Sequence, residues 1–242
     1  MNSVKLRRIR QAERQYHEQY YKKVHLYQKG SWLSRPIPLV MELAEKLDEK
    51  RNQLQPVRVL DLGSGVGRNA IPLAKRFMPT GGSVHCVDLL DSALQKLKEY
   101  CRRYGVEEAV TCEQADLGEV AIGKEAYDYI LAAGAMEHCG SEEVLKRTVR
   151  SMAEGVRPGG ILCILMNTDI EEFDKRTGAK RETMIEVVLK SDEALKLLRE
   201  AAEGWEELHA EVEPLHLGIN RGDVPVLMKG HCVAFGARKP LR

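Results

Sequence analysis

The 242-residue sequence has no long hydrophobic run. Its longest unbroken apolar stretch is Ile161 to Met166, far short of the roughly 20 residues that cross a bilayer, so a transmembrane helix is excluded. The first residues are charged where a secretory signal needs an apolar segment. Six cysteines (86, 101, 112, 139, 163, 232) form no Cys-x-x-Cys pair. That speaks against a zinc ribbon or a disulfide scaffold and fits a reducing, cytoplasmic setting. No His-Glu-x-x-His or comparable spacing is present, so no metal is expected, and the absence of G-x-x-x-x-G-K-[ST] excludes a P-loop. Aromatics are scarce, at 3 Phe, 2 Trp and 8 Tyr. Five of them (Tyr16, Tyr20, Tyr21, Tyr27, Trp32) fall between positions 16 and 32. Net charge is only +1, yet residues 1–30 carry eight basic and two acidic side chains. A basic, Tyr-rich leader therefore precedes an acidic, aromatic-poor body.

The rest of the chain alternates strand and helix. Leu6, Ile9, Tyr16, Tyr20, Val24 and Tyr27 recur at helical spacing over 4–28, and a second helix is expected from Pro38 to Asn52. Short apolar strands follow at Val57–Leu62, Ser83–Asp88, Val110–Glu113, Tyr127–Ala133 and Gly160–Met166. The last has no polar alternation, as when both faces of a strand are covered. Ser92 and Gln95 have capping-box spacing. Ser141 and Ser191 open further helices, and Trp205–Val212 and Lys229–Ala237 read as closing strands. This pattern predicts an α/β fold: a doubly wound, mostly parallel sheet with helices on both faces. Ligands bind such sheets beyond the carboxyl ends of the strands.

Four strand ends carry the chemistry. The first runs Asp61-Leu62-Gly63-Ser64-Gly65-Val66-Gly67-Arg68, a glycine turn that lets a ligand approach the backbone ahead of a helix N-terminus. A dinucleotide fingerprint places a glycine where Arg68 stands. The second carries Asp88, about 20 residues beyond the glycines, where a carboxylate can take both ribose hydroxyls. The third is Gln114-Ala115-Asp116-Leu117, a carboxylate beside an apolar residue. The fourth is Ala132-Ala133-Gly134-Ala135-Met136-Glu137-His138, whose small residues let a ligand lie against the backbone.

Together these segments resemble the class I S-adenosylmethionine-dependent methyltransferases. LDLGSGVGRNA matches their first motif, CVDLL the acidic second-strand motif, QADL the adenine loop, YDYILAAGAMEH the fourth-strand motif and MAEGVRPGGILCIL the fifth strand. The resemblance covers about residues 55–166. It implies a Rossmann-like seven-stranded sheet with an antiparallel last strand, and S-adenosyl-L-methionine as cofactor. Asp61 and Gly63, Ser64, Gly65 and Gly67 would contact the methionine part, and Asp88 the ribose. Leu89 and Leu117 would flank the adenine, Asp116 would take its amino group, and Ala133 would lie alongside. The first motif and the tail also resemble the tellurite-resistance branch, in which a His-Arg pair follows the sixth strand. Here His216 matches the His, but Leu217 stands in place of the Arg.

A sulfonium methyl donor needs placement more than activation. A base is required only where the acceptor carries a proton, and His138 is the candidate because an unperturbed imidazole titrates near pH 6.5. His17, His25, His209 and His231 read as surface or packing residues. The leader reads as a helix packed on the sheet or as a lid that brings Tyr20, Trp32 or Arg35 to the ligand. The organisation expected is one domain over 1–242: a helical cap (1–54), a cofactor-binding core (55–166), a cap insertion (167–190) and a closing helix with strands (191–242). The function expected is methyl transfer to a small-molecule acceptor, without membrane or nucleic-acid partners. The alternatives are an NAD-dependent oxidoreductase and an RNA- or protein-binding module on the same fold.

Overall fold

The computed structural model describes residues 3–49 and 55–241. Five parallel strands form its spine: β1 (Arg58–Leu62), β2 (Ser83–Asp88), β3 (Val110–Gln114), β4 (Tyr127–Ala133) and β5 (Val156–Asp174). Two long antiparallel strands, β7 (Glu206–Arg221) and β8 (Val224–Arg238), complete the path in the order β3-β2-β1-β4-β5-β8-β7. A two-residue strand, β6 (Lys180–Arg181), pairs with β5. The expected seven-stranded path is therefore present with a small eighth strand beside it. The chain winds outward from β1 to β3 and then restarts at β4, so the order reverses between β1 and β4. That junction is where an α/β sheet opens a crevice for a ligand.

Alternation along the buried strands feeds two apolar layers. Val59, Tyr129, Leu131 and Ile161 face one side. There they meet α2 (Pro38–Glu49), α3 (Ala70–Phe77) and α4 (Asp91–Tyr104) through Leu43, Ile71 and Leu97. Leu60, Leu62, Ile130, Leu162 and Ile164 face the other. They meet α5 (Glu142–Gly155) and α6 (Ser191–Ala201) through Leu145, Val149 and Leu198. Ser141 caps α5 as expected, its side chain accepting the Val144 N–H at 3.3 Å. Ser92 does not cap α4: Leu90 is the N-cap, and its N–H donates to Asp88. Ser191 is the first residue of α6, whose preceding Lys190 N–H donates to Glu193 at 3.1 Å.

Three differences from the sequence expectation shape the site. The leader helix α1 (Ser3–Lys23) stops before Tyr27, which adopts a left-handed backbone (φ 64°). The second helix is described to Glu49, and the expected end at Asn52 lies outside the described residues. The fifth strand runs eight residues past Met166, and β7 and β8 are far longer than expected, so ten of the 24 residues of the supposed cap insertion (167–174 and 180–181) are strand. Met166, Thr168, Ile170 and Glu172 point inward along this extension. Their alternation is masked in the sequence because Thr168 and Glu172 are polar. Asp169 and Ile170 form a bulge opposite Gly230, where a Cβ would meet Thr168 O at 2.5 Å. A bulge bends its strand and increases twist.

Candidate active site

The glycine turn after β1 is closed on β2 by the Gly63 and Ser64 N–H groups, which donate to Val87 O at 2.8 and 3.0 Å. Two glycines there are obligatory. A Cβ on Gly63 (φ 72°) would overlap Ala135 Cβ at 2.3 Å, and one on Gly67 (φ 92°) would meet Leu97 at 2.4 Å. Asp88 holds the turn from the neighbouring strand end. Its Oδ2 accepts the Gly65 N–H and its Oδ1 the Leu90 N–H, both at 2.8 Å. The carboxylate thus organises the loop before any ligand arrives, and each oxygen keeps a further lone pair. Asp61 is buried below the turn, and its Oδ2 has no hydrogen-bond partner among the described residues. Burial, with the Asp88 charge adding, raises its pKa to about 7.

The turn and Asp88 line one cavity of about 500 Å³ at the switch point, and Asp61 and Gly67 are not among its lining residues. One end is bounded by Gly63, Ser64, Gly65, Asp88, Leu89, Asp116, Leu117 and Ala133. Asp116 accepts the Gly118 N–H (3.0 Å) and pairs with Arg10 of the leader (2.6 Å). The other end is built from α1, the turn after β4 and the β5–β8–β7 extension. His138 lines it, its pKa lowered chiefly by burial. Glu137 is fully buried beside it. Burial lifts its carboxyl to about 7 although Asn167 donates to it.

The leader residues named from sequence are rearranged. Trp32 lines the cavity, whereas Tyr20 stacks behind it (ring centroids 5.2 Å, 20°) and does not. Tyr16, His17 and Tyr21 reach the cavity instead, so His17 is not a surface or packing residue. Arg35 is exposed, and only its carbonyl acts, accepting Arg68 Nε at 2.7 Å. His216 is also exposed. Strand alternation turns it away while Leu215, Leu217 and Ile219 face the cavity. The sequence reading also missed Arg10, Glu13 and Arg221. Arg221 pairs with Glu13 and, at 2.7 Å, with the wholly buried Glu172. Those carboxylates keep the Arg221 guanidinium protonated despite burial. One signal for this cluster was legible: Glu13 and His17 stand four apart on one helix, within side-chain reach.

A strand order reversing beside a glycine turn, with acidic residues at successive strand ends, is the arrangement of a doubly wound α/β fold of the class I methyltransferase kind. Residues 59–160 match the family described as "Methyltransferase domain". The chain is 30% identical over 122 residues to Methyltransferase GfsG of Streptomyces halstedii, covering 50% of this chain and 42% of that one. It is 27% identical over 128 residues to a Ubiquinone biosynthesis O-methyltransferase of Rickettsia canadensis, covering 52% and 50%. The matches thus span about half the length of these curated relatives. Among solved structures, TehB from Haemophilus influenzae superposes with a TM-score of 0.62 at 20% identity, covering 92% of this chain and 67% of that one. The Burkholderia thailandensis 1,6-didemethyltoxoflavin-N1-methyltransferase, with S-adenosylhomocysteine bound, does so at 0.55 and 18%, covering 95% and 88%.

Proposed function

We propose that this protein transfers a methyl group from S-adenosylmethionine to a small-molecule acceptor enclosed under its leader helix. The observation that carries the proposal is the single cavity joining the glycine turn to a walled second compartment. The residues present suit the cofactor: Gly63 and Gly65 lining the cavity without side chains, an unpartnered buried Asp61 oxygen, and Asp88 fixed at the second strand end. Asp61 and Gly63–Gly67 would hold the methionine part, Asp88 the ribose, Leu89 and Leu117 the adenine faces, and Asp116 its amino group. The cofactor supplies an electrophilic methyl on a sulfonium. The chain binds, orients and excludes water, and positioning of this kind is worth about 7–11 kcal/mol of a barrier. Where the acceptor carries a proton, the imidazoles facing the second compartment, His138 among them, are the groups that can take it.

A small acceptor is supported by the enclosure, and an oxygen nucleophile fits the naming of the Rickettsia relatives as O-methyltransferases. A nucleic-acid acceptor would draw on the basic leader, and one relative is named a ribosomal RNA methyltransferase. Yet Lys5 and Arg8 pair with Glu182, and Arg10 with Glu186 and Asp116, so their charge is offset within the chain. The cytoplasmic setting belongs to this proposal and is supported by six free cysteines.

Calorimetry tests the reading. S-adenosylhomocysteine should bind and NAD should not, and binding of NAD alone defeats it. Asp88→Ala should weaken S-adenosylhomocysteine binding by about tenfold or more, because it removes charge-assisted hydrogen bonds and frees the Gly65 turn. Unchanged affinity removes Asp88 from the site.

A further inference from the structure

Two imidazoles reach the second compartment, and their surroundings differ. His138 has burial as the dominant influence, which makes it a weaker base. His17 comes down from the leader helix α1. Its Nε2 lies 3.6 Å from Glu13 Oε2. Its Nδ1 is buried with no hydrogen-bond partner among the described residues, on a side chain that lines the cavity. Glu13 is itself held from the far side, where Arg221 takes its other oxygen and also bonds Glu172. Burial alone would raise the Glu13 carboxyl. His17, His138 and Arg221 outweigh that and hold it at about 2, so it remains an anion throughout the physiological range.

The Glu13–Arg221–Glu172 cluster therefore contains two carboxylates and one guanidinium. Protonation of a neighbouring imidazole closes that imbalance. A buried imidazolium is costly unless a carboxylate compensates it, and His17 is the imidazole with a carboxylate at 3.6 Å. The cavity lining combines these charged groups with apolar faces. Trp32 and Tyr16 stand on the leader side, Leu215, Leu217 and Met228 on the strand side. That box suits an aromatic ring. A phenol, with a pKa near that of tyrosine at about 10, can pass its proton to an imidazole, whereas an aliphatic alcohol is a far weaker acid.

We propose that His17, oriented by Glu13, is the general base of this enzyme and that its acceptor is a small phenol. The proton leaves the phenolic oxygen for His17 Nδ1. An oxygen lone pair then forms the O–CH3 bond as the methyl–sulfur bond breaks, and that bond's electron pair goes to sulfur, leaving the neutral thioether. Glu13 is a positioning residue, stabilising the imidazolium without touching the acceptor. The inference rests on the methyltransferase reading above and assigns to the lid a role in proton transfer as well as enclosure.

The test uses the full chain saturated with S-adenosylhomocysteine and 4-nitrophenol as the probe, since its yellow band reports the phenolate directly without turnover. The groups facing His17 are Glu13, Tyr16 and Tyr21 on its own helix, Trp32 beyond it, His138 after β4 and Asp88 after β2, with Arg221 of β7 behind Glu13. Wild type is expected to hold the probe as phenolate at a pH where most of it is protonated in solution. His17→Gln is expected to reduce the bound phenolate at least about tenfold, since it deletes the proton acceptor. Its S-adenosylhomocysteine affinity should stay within about threefold of wild type, showing that it folds. Glu13→Gln should move the pH midpoint of phenolate formation upward by about one unit or more, because the imidazolium loses its counter-charge. A role for Glu13 confined to packing leaves that midpoint in place and overturns the orienting part. A phenolate band that survives in His17→Gln and vanishes in His138→Gln gives the role to His138. Failure to bind S-adenosylhomocysteine defeats the methyltransferase reading. Binding of it without 4-nitrophenol, or with 4-nitrophenol neutral, defeats this inference alone.

Discussion

Asp61 and Glu137 are buried carboxyl groups that the ligand-free fold holds at a loss. Burial raises both to about 7, from 3.8 and 4.5. A raised carboxyl stabilises the folded state fully below its unfolded pKa, and that contribution is lost as pH climbs through the folded value. Both groups therefore weaken the free protein as pH rises from about 4 to about 7. Glu13 works in the opposite sense. Held at about 2, it contributes stability above its ordinary range that is lost as pH falls toward that value. For Asp61 the shift corresponds, at about 1.4 kcal/mol per unit, to at most about 4 kcal/mol. Asp61→Asn should raise the melting temperature of the free protein at pH 8 by several degrees, at about 2–4 °C per kcal/mol for a chain of this size. At pH 4, where the wild-type carboxyl is already protonated, the gain should vanish. The same variant should bind S-adenosylhomocysteine more weakly. A melting temperature unchanged at pH 8 would show that Asp61 is satisfied in the free protein. Asp61 and Asp88 were legible because each closes a strand before glycine or a helix. The second task of Asp88, holding the Gly65 and Leu90 amides, was not, since the capping-box spacing of Ser92 and Gln95 implied that the next helix was already capped.

Among elements, the leader helix converts a charge asymmetry into a clasp. Lys5 and Arg8 meet Glu182, and Arg10 bridges Glu186 to Asp116 at the end of β3. Tyr21 presses its hydroxyl toward Gly65, where an added Cβ would come within 3.0 Å of it. The helix thus touches both compartments. Partly exposed ion pairs are worth up to about 1 kcal/mol each and weaken as added salt shortens the screening length. Arg10→Ala breaks two of them. At low salt it should speed tryptic cleavage within α1 about fivefold or more, read by mass spectrometry of the fragments, because cleavage follows the population of the open form. In 1 M salt the two proteins should be cut at similar rates. Equal rates at low salt would mean that the aromatic contacts alone hold the helix down. The excess of basic residues was visible in the sequence. Its partners were not, because Glu182 and Glu186 lie some 170 residues away in a segment whose polarity suggested a loop.

At the scale of the whole molecule the protein divides into a half that was legible and a half that was not. The cofactor half, β1 to β4 with their strand-end residues, centres on β1 and β4, short apolar runs buried on both faces and followed by glycine, a pattern local sequence reports well. The acceptor half depends on how far β5, β7 and β8 continue beyond that layer. Continuation is set by pairing between distant strands (Glu172 with Met228, Leu217 with Met228), and no local pattern carries it. One consequence separates the halves experimentally. Leu215 and Leu217 face the cavity from β7 with their side chains only partly buried, so replacing both by Ser costs little fold stability, about 1–2 kcal/mol on an area basis. Backbone pairing of β7 with β8 does not involve those side chains and should persist. Leu215→Ser with Leu217→Ser should therefore bind S-adenosylhomocysteine within about threefold of wild type by calorimetry, since the changes lie outside the cofactor contacts. Bound 4-nitrophenol should fall about tenfold or more, because its ring loses the apolar wall against which it lies. Equal loss of both ligands would show that the β7–β8 hairpin supports the entire cleft. Loss of neither would place the acceptor elsewhere, away from the wall that the long strands build.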